Sequence, residues 1–552
     1  MTGSPDEMPA ALAAVCGGIG KVVPEVVAAI GRCFDRPLSE RYADPRAKLL
    51  TDQPPREWRS AEARGLSWGR ALPPPGPLHG WEDAARDGDC GLILTPDGPV
   101  LHSSTPGVFP LYWRELDGAV YFSSLADPLA RGTAGRLTVD WEAWAGLMGC
   151  GCVLGPRTPF REIRRLMPQS LLRVEAGHAR VEQREWPWLA FEPRESVASG
   201  APALVEALRA VVARTPDEPA PIALSGGLDS RILACLLAER GRLGVAVTVN
   251  GTSGNDGEQR AAARVAEALG VRHERLDSPP ERYWEQAADR GLRTDYLRKV
   301  SPWLAPVHER IAALGGVALD GLAGDVVADR SQYMRPEMID PAQPRIAGPL
   351  WRALRVERGI ALTGRVGEQL RESAVEQVRE CVGGLNGHAN RAVLGPYLTR
   401  MIGGVARVSL GSLGTRALVE APYATTEVAA AALAVDPASK FDRSMRRAIL
   451  ELINPEVARI PKNSDASLGA RPVARRRLDP AVLAGYRDLV ADGPLARYLP
   501  PDVAPLLEGG APSGAARPRR LWRAIDGVVT CHLWLRRYGG IVDGRDVAAF
   551  AS

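Results

Sequence analysis

Cysteine is scarce in this chain, 8 in 552 residues, and no spacing supplies the two CxxC pairs that close a tetrahedral zinc site. The nearest two, Cys150 and Cys152, flank Gly151, a spacing more often incidental than metal-binding. Histidine is as thin. Its 7 residues are scattered, with no HExxH and no pair at helical i, i+4 spacing, which argues against histidine-ligated metal chemistry. No apolar run reaches the roughly 18 residues of a membrane helix. The start, MTGSPDEMPAALAAVCGG, is acidic where a targeting signal is basic, so a cytoplasmic protein with no membrane partner is expected. Nor is there an excess of one charge. A net +4 offers no ground for a nucleic-acid partner. What remains is a globular composition, 45% hydrophobic and 24% charged, over a length that calls for about two domains.

The first third reads as short strands parted by turn signals: Gly91 to Leu94, Val100 to Ser103 after Pro96-Asp97-Gly98, and Ala119 to Ser123 after Leu116-Asp117-Gly118. A further pair, Gln169 to Val174 and His178 to Gln183, is joined by Glu175-Ala176-Gly177. This is an antiparallel pattern. A Pro- and Ser-containing stretch from Phe191 to Pro202 marks the boundary, dividing the chain into residues 1–195 and 196–552. Beyond it the pattern changes to a helix from Ala203 to Arg214, the strand Pro221 to Leu224, a loop, and a helix from Ser230 to Arg240. The strand Gly244 to Val249, a helix from Gly257 to Leu269 and a short strand near His273 to Leu276 extend this into a doubly wound parallel sheet. The remainder is expected to be mostly helical.

Between the strand Pro221 to Leu224 and the following helix stands Ser225-Gly226-Gly227-Leu228-Asp229-Ser230. Unpaired N–H groups and the helix dipole favour an anion there, and phosphate is the natural guest. Gly226 and Gly227 let the backbone approach, and the hydroxyls of Ser225 and Ser230 can donate to phosphate oxygens. Asp229 would repel phosphate unless a cation lay between, so it is assigned as a ligand for Mg2+ bridging nucleotide phosphates. The bland alternative is a serine-glycine turn capping a helix. Gly18-Ile19-Gly20-Lys21 is not a Walker loop, because it lacks the upstream glycine and carries Val22 where a hydroxyl should be. Downstream, Leu319-Asp320-Gly321-Leu322-Ala323-Gly324-Asp325 runs from an apolar strand end into an acidic turn, with Gly324 in the nucleotide site and Asp325 as the second metal carboxylate. Alone it would be an ordinary Asp-Gly loop. Arg459 to Gly469 follows a helix from Met445 to Ile453, and its Lys462 is a candidate catalytic cation or, in the bland reading, a solvated lysine.

Together these segments resemble the asparagine synthetase family, including the β-lactam synthetases and lasso-peptide macrolactam cyclases. Upstream, Asp87-Gly88-Asp89, Thr105 to Tyr112, Tyr121 to Ser124 and Thr158 to Pro168 look like the latter part of its glutaminase-type domain; Ala421-Pro422-Tyr423-Ala424 and the run into Lys462 look like its synthetase half. The resemblance implies an α/β protein: a degenerate, Ntn-hydrolase-like N-terminal domain, then an ATP-pyrophosphatase domain (adenine nucleotide alpha hydrolase-like) with a helical C-terminal part. It implies ATP bound by Ser225 to Ser230, magnesium on Asp229 and Asp325, and Lys462 stabilising the intermediate. Two departures matter. Glutamine-hydrolysing members begin on a cysteine, whereas position 2 is Thr2 and Cys16 lies internally; and Leu322 stands where asparagine synthetases have a catalytic glutamate. These point to an AMP-forming ligase that joins a small-molecule or peptide carboxylate to an amine, of the lasso-peptide cyclase kind, with a precursor peptide and its leader-processing proteins as partners. The stretch Leu521 to Arg536 resembles the helical tail of such cyclases or is simple core. Asparagine synthesis and a non-catalytic nucleotide- or peptide-binding scaffold are the alternatives.

Overall fold

A computed structural model of the chain describes residues 14–72, 76–86, 88–249, 257–300, 302–462, 479–491, 493–510 and 518–550. Asp87 and the run Asn463 to Gly469 therefore lie outside the described residues.

The N-terminal part is antiparallel, as its turn chemistry requires. Tyr112–Leu116 and Ala119–Ser123 form a two-residue hairpin in which Asp117 and Gly118 take φ of 50° and 81°, the left-handed pair that such turns demand. Ser170–Glu175 and His178–Gln183 repeat the device, with Ala176 and Gly177 at φ 50° and 83°. Among the described residues these strands fall into two six-stranded sheets. One runs Arg164–Arg165, Tyr112–Leu116, Ala119–Ser123, Val15–Gly20, Ala47–Thr51, Ser39–Asp44; the other runs His178–Gln183, Ser170–Glu175, Gly98–His102, Cys90–Thr95, Arg64–Trp68, Arg56–Arg59. They pack through Val15–Gly20 against Ser170–Glu175 and Gly98–His102. The glycines of Val15–Gly20 are packing residues. A Cβ at Gly17 would collide with the Lys48 carbonyl and the Phe122 ring, so Gly18 to Gly20 close a buried strand and cradle no phosphate.

The C-terminal part is built on a five-stranded sheet, all of it parallel, in the order Arg272–Leu276, Leu243–Val249, Ala220–Ala223, Val317–Leu319, Leu418–Glu420. Helices Leu228–Glu239, Gly257–Ala268 and Ala305–Leu314 provide crossovers. The first strand of the sheet lies between the second and the fourth, so the order reverses across Ala220–Ala223 and Val317–Leu319. That is a topological switch point, where parallel sheets open a crevice at the carboxyl ends of their strands. The helix expected from Ala203 starts earlier, at Val197, because Ser196 forms a capping box with Ser199. Pro202 is carried inside it, and Gly200 lets it approach Val435. The chain around Pro202 is thus helix, where its composition suggested linker.

One continuous core runs through both parts, and a second cluster gathers Tyr283, Tyr486, Trp522 and neighbouring aliphatics near the C-terminus. The C-terminal helix Pro518–Tyr538 buries Trp534 against Trp144, Phe160 and Tyr538, with ring centroids 4.9 to 5.6 Å apart. Its tryptophan and leucine pattern is therefore core. Among the described residues no helix is long and apolar enough to cross a membrane.

Candidate active site

The loop after Ala220–Ala223 is organised by its own hydroxyls. Ser230 Oγ accepts from the Ser225 N–H at 3.0 Å and lies 3.0 Å from Ser225 Oγ, which in turn accepts from the Gly227 N–H at 3.1 Å. Gly227 caps the helix Leu228–Glu239, and Asp229 sits in its first turn. The Gly226 N–H meets the carboxylate of Glu258, a group whose pKa burial raises and that hydrogen bond opposes. A carboxylate thus occupies part of the place where N–H groups converge, as expected of a site made for anions.

The second loop closes onto the first. A Cβ at Gly324 would stand 2.5 Å from Asp229 Oδ1, and one at Gly321 would stand 2.9 Å from Asp229 Cβ, so both glycines permit contact that no other residue allows. Ala323 between them holds φ 74°, and Asp320 Oδ1 accepts from the Leu322 N–H at 2.8 Å and from Ser409 Oγ at 2.9 Å. Leu322 itself is 4% exposed and belongs to the core. Asp229 and Asp325 are brought close enough that each turn's acid bears on the first: burial pushes Asp229 up to about 6, Arg446 opposes, and Asp325 and Asp329 add to the rise. Asp325 is raised as well, by burial, again against the pull of Arg446.

Three further side chains of this site are not among the candidate site residues read from the sequence. Arg446, on the helix Met445–Ile453, donates from Nη1 to Asp229 Oδ2 at 2.8 Å and from Nε to Asp329 Oδ2 at 2.9 Å. Arg231 is fully buried and donates to the Gly226 carbonyl at 3.1 Å, to Ile460 O at 2.7 Å and to Pro461 O at 2.8 Å. It thereby ties the phosphate loop to the backbone immediately before Lys462, which is half-buried. Tyr423 is buried beside Asp229, with no hydrogen-bond partner for its hydroxyl among the described residues, and burial and that acid raise its pKa.

Asp229 Oδ1 is likewise buried and without a hydrogen-bond partner among the described residues. An orphaned carboxylate oxygen facing a second carboxylate suits a hard cation. Among the described residues no three His, Cys, Asp or Glu side chains form a metal cluster. Magnesium does not require one, since it binds through one or two carboxylates together with nucleotide phosphates. Asp229 and Asp325 fit that pattern.

Residues 203–403, spanning the phosphate loop and the Asp325 loop, match the family model described as asparagine synthase. This stretch is similar to the asparagine synthase family. The match supports an ATP-dependent ligase that forms C–N bonds. No curated protein matches it. The matched stretch ends before Lys462 and before Arg446, which reaches Asp229 by folding.

The glutaminase question is met by Cys16. It lies in mid-strand, paired with Leu50 and Ser123, fully buried, and burial pushes its thiol up to about 12. A thiol so held is not a nucleophile near neutral pH.

Proposed function

We propose that this chain is an asparagine synthetase-family enzyme, an AMP-forming amide synthetase that adenylates a peptide carboxylate and closes a macrolactam, as lasso-peptide cyclases do. The observation that carries the reading is the convergence of the Ser225–Ser230 and Gly321–Asp325 loops at the switch point, with Asp229 Oδ1 orphaned between them. A carboxylate oxygen of the substrate attacks the α-phosphorus of ATP, and pyrophosphate leaves; an amine nitrogen then attacks the acyl carbon, AMP leaves, and the nitrogen loses a proton. The phosphate loop holds the triphosphate through its N–H groups and the two serine hydroxyls. Asp229 and Asp325 would hold magnesium, which supplies charge neutralisation of the departing pyrophosphate when bound. Lys462, placed by the Arg231 clamp, stabilises developing negative charge.

Two features support a peptide amine over glutamine-derived ammonia. Cys16 offers no exposed thiol, and the buried Leu322 offers no proton acceptor, so ammonia is neither produced nor managed in the usual way. A macrolactam amine is tethered to its own acyl group, which provides the proximity that a free amine lacks.

Exchange of labelled pyrophosphate into ATP, driven by candidate peptides and by aspartate, tests the reading. Magnesium-dependent exchange with a peptide, falling at least 100-fold in Asp229→Ala, Asp325→Ala and Lys462→Ala, is expected. Exchange with aspartate alone would establish asparagine synthesis, and no exchange with any carboxylate would establish a nucleotide- or peptide-binding scaffold.

A further inference from the structure

The helix Gly364–Val382 carries glutamate at every fourth position, Glu368, Glu372, Glu376 and Glu380, so one ridge of it is acidic along its length. All four line a groove of about 980 Å³, together with Glu142, Glu357 and the ring of Trp351. Most of the lining arginines are engaged. Arg157 bridges Glu142 at 2.9 Å and Glu380 at 3.1 Å, Arg379 pairs with Glu376 at 2.7 Å, and Arg371 donates to the carbonyls of Ile360 and Leu362, both at 3.1 Å. Glu357, Glu368 and Glu372 make no hydrogen bond or ion pair among the described residues, against a single unpaired lining arginine, Arg520. Like charges one turn apart repel, so the ridge destabilises its own helix until something basic covers it. At the floor Gln377, 2% exposed, donates from Nε2 to Glu142 O at 2.8 Å and to Ser373 Oγ at 3.1 Å, while its Oε1 is buried with no partner among the described residues. An acceptor left unsatisfied below an acidic ridge calls for a donor.

The Arg157–Glu380 pair is also the sill of a second cavity, of about 420 Å³. Its walls are largely apolar and come from both parts of the chain: Met167, Pro168 and Trp186 from the antiparallel part, Cys381, Leu385 and Leu398 from the synthetase part. Trp186 is fixed in place, because its Nε1 donates to Thr105 O at 2.8 Å and its ring stacks on Trp188 with centroids 5.1 Å apart. The pocket is therefore preformed, and its volume falls within the range of about 300–1,000 Å³ found for ligand sites. Leu398 belongs to the wide helical turns Tyr397–Val405, which pack on the helix Gly324–Val327 that carries Asp325. The pocket thus adjoins an element that supports the candidate active site.

An acidic groove running into an apolar pocket is complementary to a basic peptide that ends in a large apolar residue. We propose that the two cavities bind a basic stretch of the peptide substrate remote from its reacting groups, its lysines or arginines lying along the glutamate ridge and one large apolar side chain filling the pocket. The proposal rests on the reading of the carboxylate substrate as a peptide. At about 1.5 Å per residue the ridge from Glu368 to Glu380 is about 18 Å long, which about six residues of extended chain cover. Contacts made there, away from the reacting carbonyl, lower KM for peptides that carry the stretch.

The probe is a dye-labelled, amidated heptapeptide, Lys-Gly-Lys-Gly-Lys-Gly-Leu, titrated into the full-length protein at low ionic strength and followed by fluorescence anisotropy. Saturable binding is expected, at least tenfold weaker in the double variant Glu368→Gln with Glu372→Gln, in Gly384→Leu, and for the same peptide with glutamate in place of lysine. Gly384 lines the pocket and a Cβ there meets nothing within 4 Å, so the added side chain fills the pocket without a clash. The affinity for Mg·ATP should stay within twofold in both variants. No binding of the probe, equal binding of the glutamate peptide, or indifference to either variant would overturn the proposal. So would a concentration-dependent dimer in sedimentation that the same variants abolish, because a second copy of the chain would then fill the groove. In pyrophosphate exchange, a peptide carrying the basic stretch should show a KM raised at least tenfold in both variants at unchanged kcat, and a peptide without it no change; equal KM values would overturn the assignment to the substrate. A protein that binds the probe as expected but exchanges pyrophosphate with no peptide would uphold the peptide site and sink the macrolactam reading.

Discussion

Asp229 is asked to be two things, an acid buried beside two other acids and a ligand for a divalent cation, and its titration links them. Its pKa in the folded protein is raised to about 6, above the value of about 3.9 for an unfolded chain. The folded state therefore holds a proton that the unfolded state has released across that interval. The contribution to stability is full below about pH 4 and is lost as pH rises through about 6. Comparing urea unfolding of the metal-free wild type with Asp229→Asn isolates it: the wild type should lose stability relative to the variant between about pH 4 and 6. A difference that is flat in pH would show that Asp229 is ionised throughout. Magnesium requires the ionised form, so stabilisation by Mg·ATP should grow over the same interval in the wild type only. Gly324 makes a second demand at this scale. Gly324→Ala places a methyl 2.5 Å from Asp229 Oδ1, and overpacking of this kind costs about 1–3 kcal/mol. Its melting temperature and its pyrophosphate exchange should both fall. Gly383→Ala, with nothing within 4 Å of the added methyl, should change neither.

At the scale of elements, the phosphate loop and the 460–462 backbone act as one unit through Arg231. Three carbonyls surround its guanidinium, so Arg231→Met removes a buried cation and strands those acceptors together. The expected result is a fall in kcat for adenylation with little change in the affinity for ATP, because the loop keeps its serine hydrogen bonds while Lys462 loses its position. Single-turnover quench with labelled ATP separates the two. A variant that loses ATP binding and chemistry alike would show that Arg231 merely holds the loop folded. These elements also show what a linear reading can reach. Ser225 to Ser230 was legible because strand, glycines, acid and helix lie within a few residues, and the hairpins at Asp117-Gly118 and Ala176-Gly177 were legible for the same local reason. Arg446 was not: it reaches Asp229 across 217 residues of chain, from a helix whose sequence shows only an amphipathic period. Arg231 looked like one more arginine in an arginine-rich chain, and Tyr423 was noticed only as part of a family motif. The strand Val15–Gly20 was missed because its glycines imitate a loop, whereas they are there so that Lys48 and Phe122 can approach.

In the whole molecule, buried acids fasten the antiparallel part to the synthetase part, Asp295 and Glu420 among them. Asp295, held at φ 53° in the synthetase part, accepts from Tyr112 Oη at 2.8 Å and from the Ala126 N–H at 2.8 Å, both of the antiparallel part, and from Arg407 Nη2 at 2.9 Å. Arg407 and Asp295 are almost completely buried, at 2% and 0% side-chain exposure, which makes the pair costly to break on one side only. Asp295→Ala leaves a buried guanidinium uncompensated, a change that costs about 3–5 kcal/mol. A second fastening is independent of it: Arg537 and Tyr538 of the C-terminal helix both donate to Asp127, at 2.8 Å and 2.7 Å. If the antiparallel part serves only as a scaffold, Asp295→Ala should lower the melting temperature while the surviving folded enzyme exchanges pyrophosphate at close to the wild-type rate per active site. A fall in that rate at temperatures well below unfolding would instead make the antiparallel part a brace for the active site.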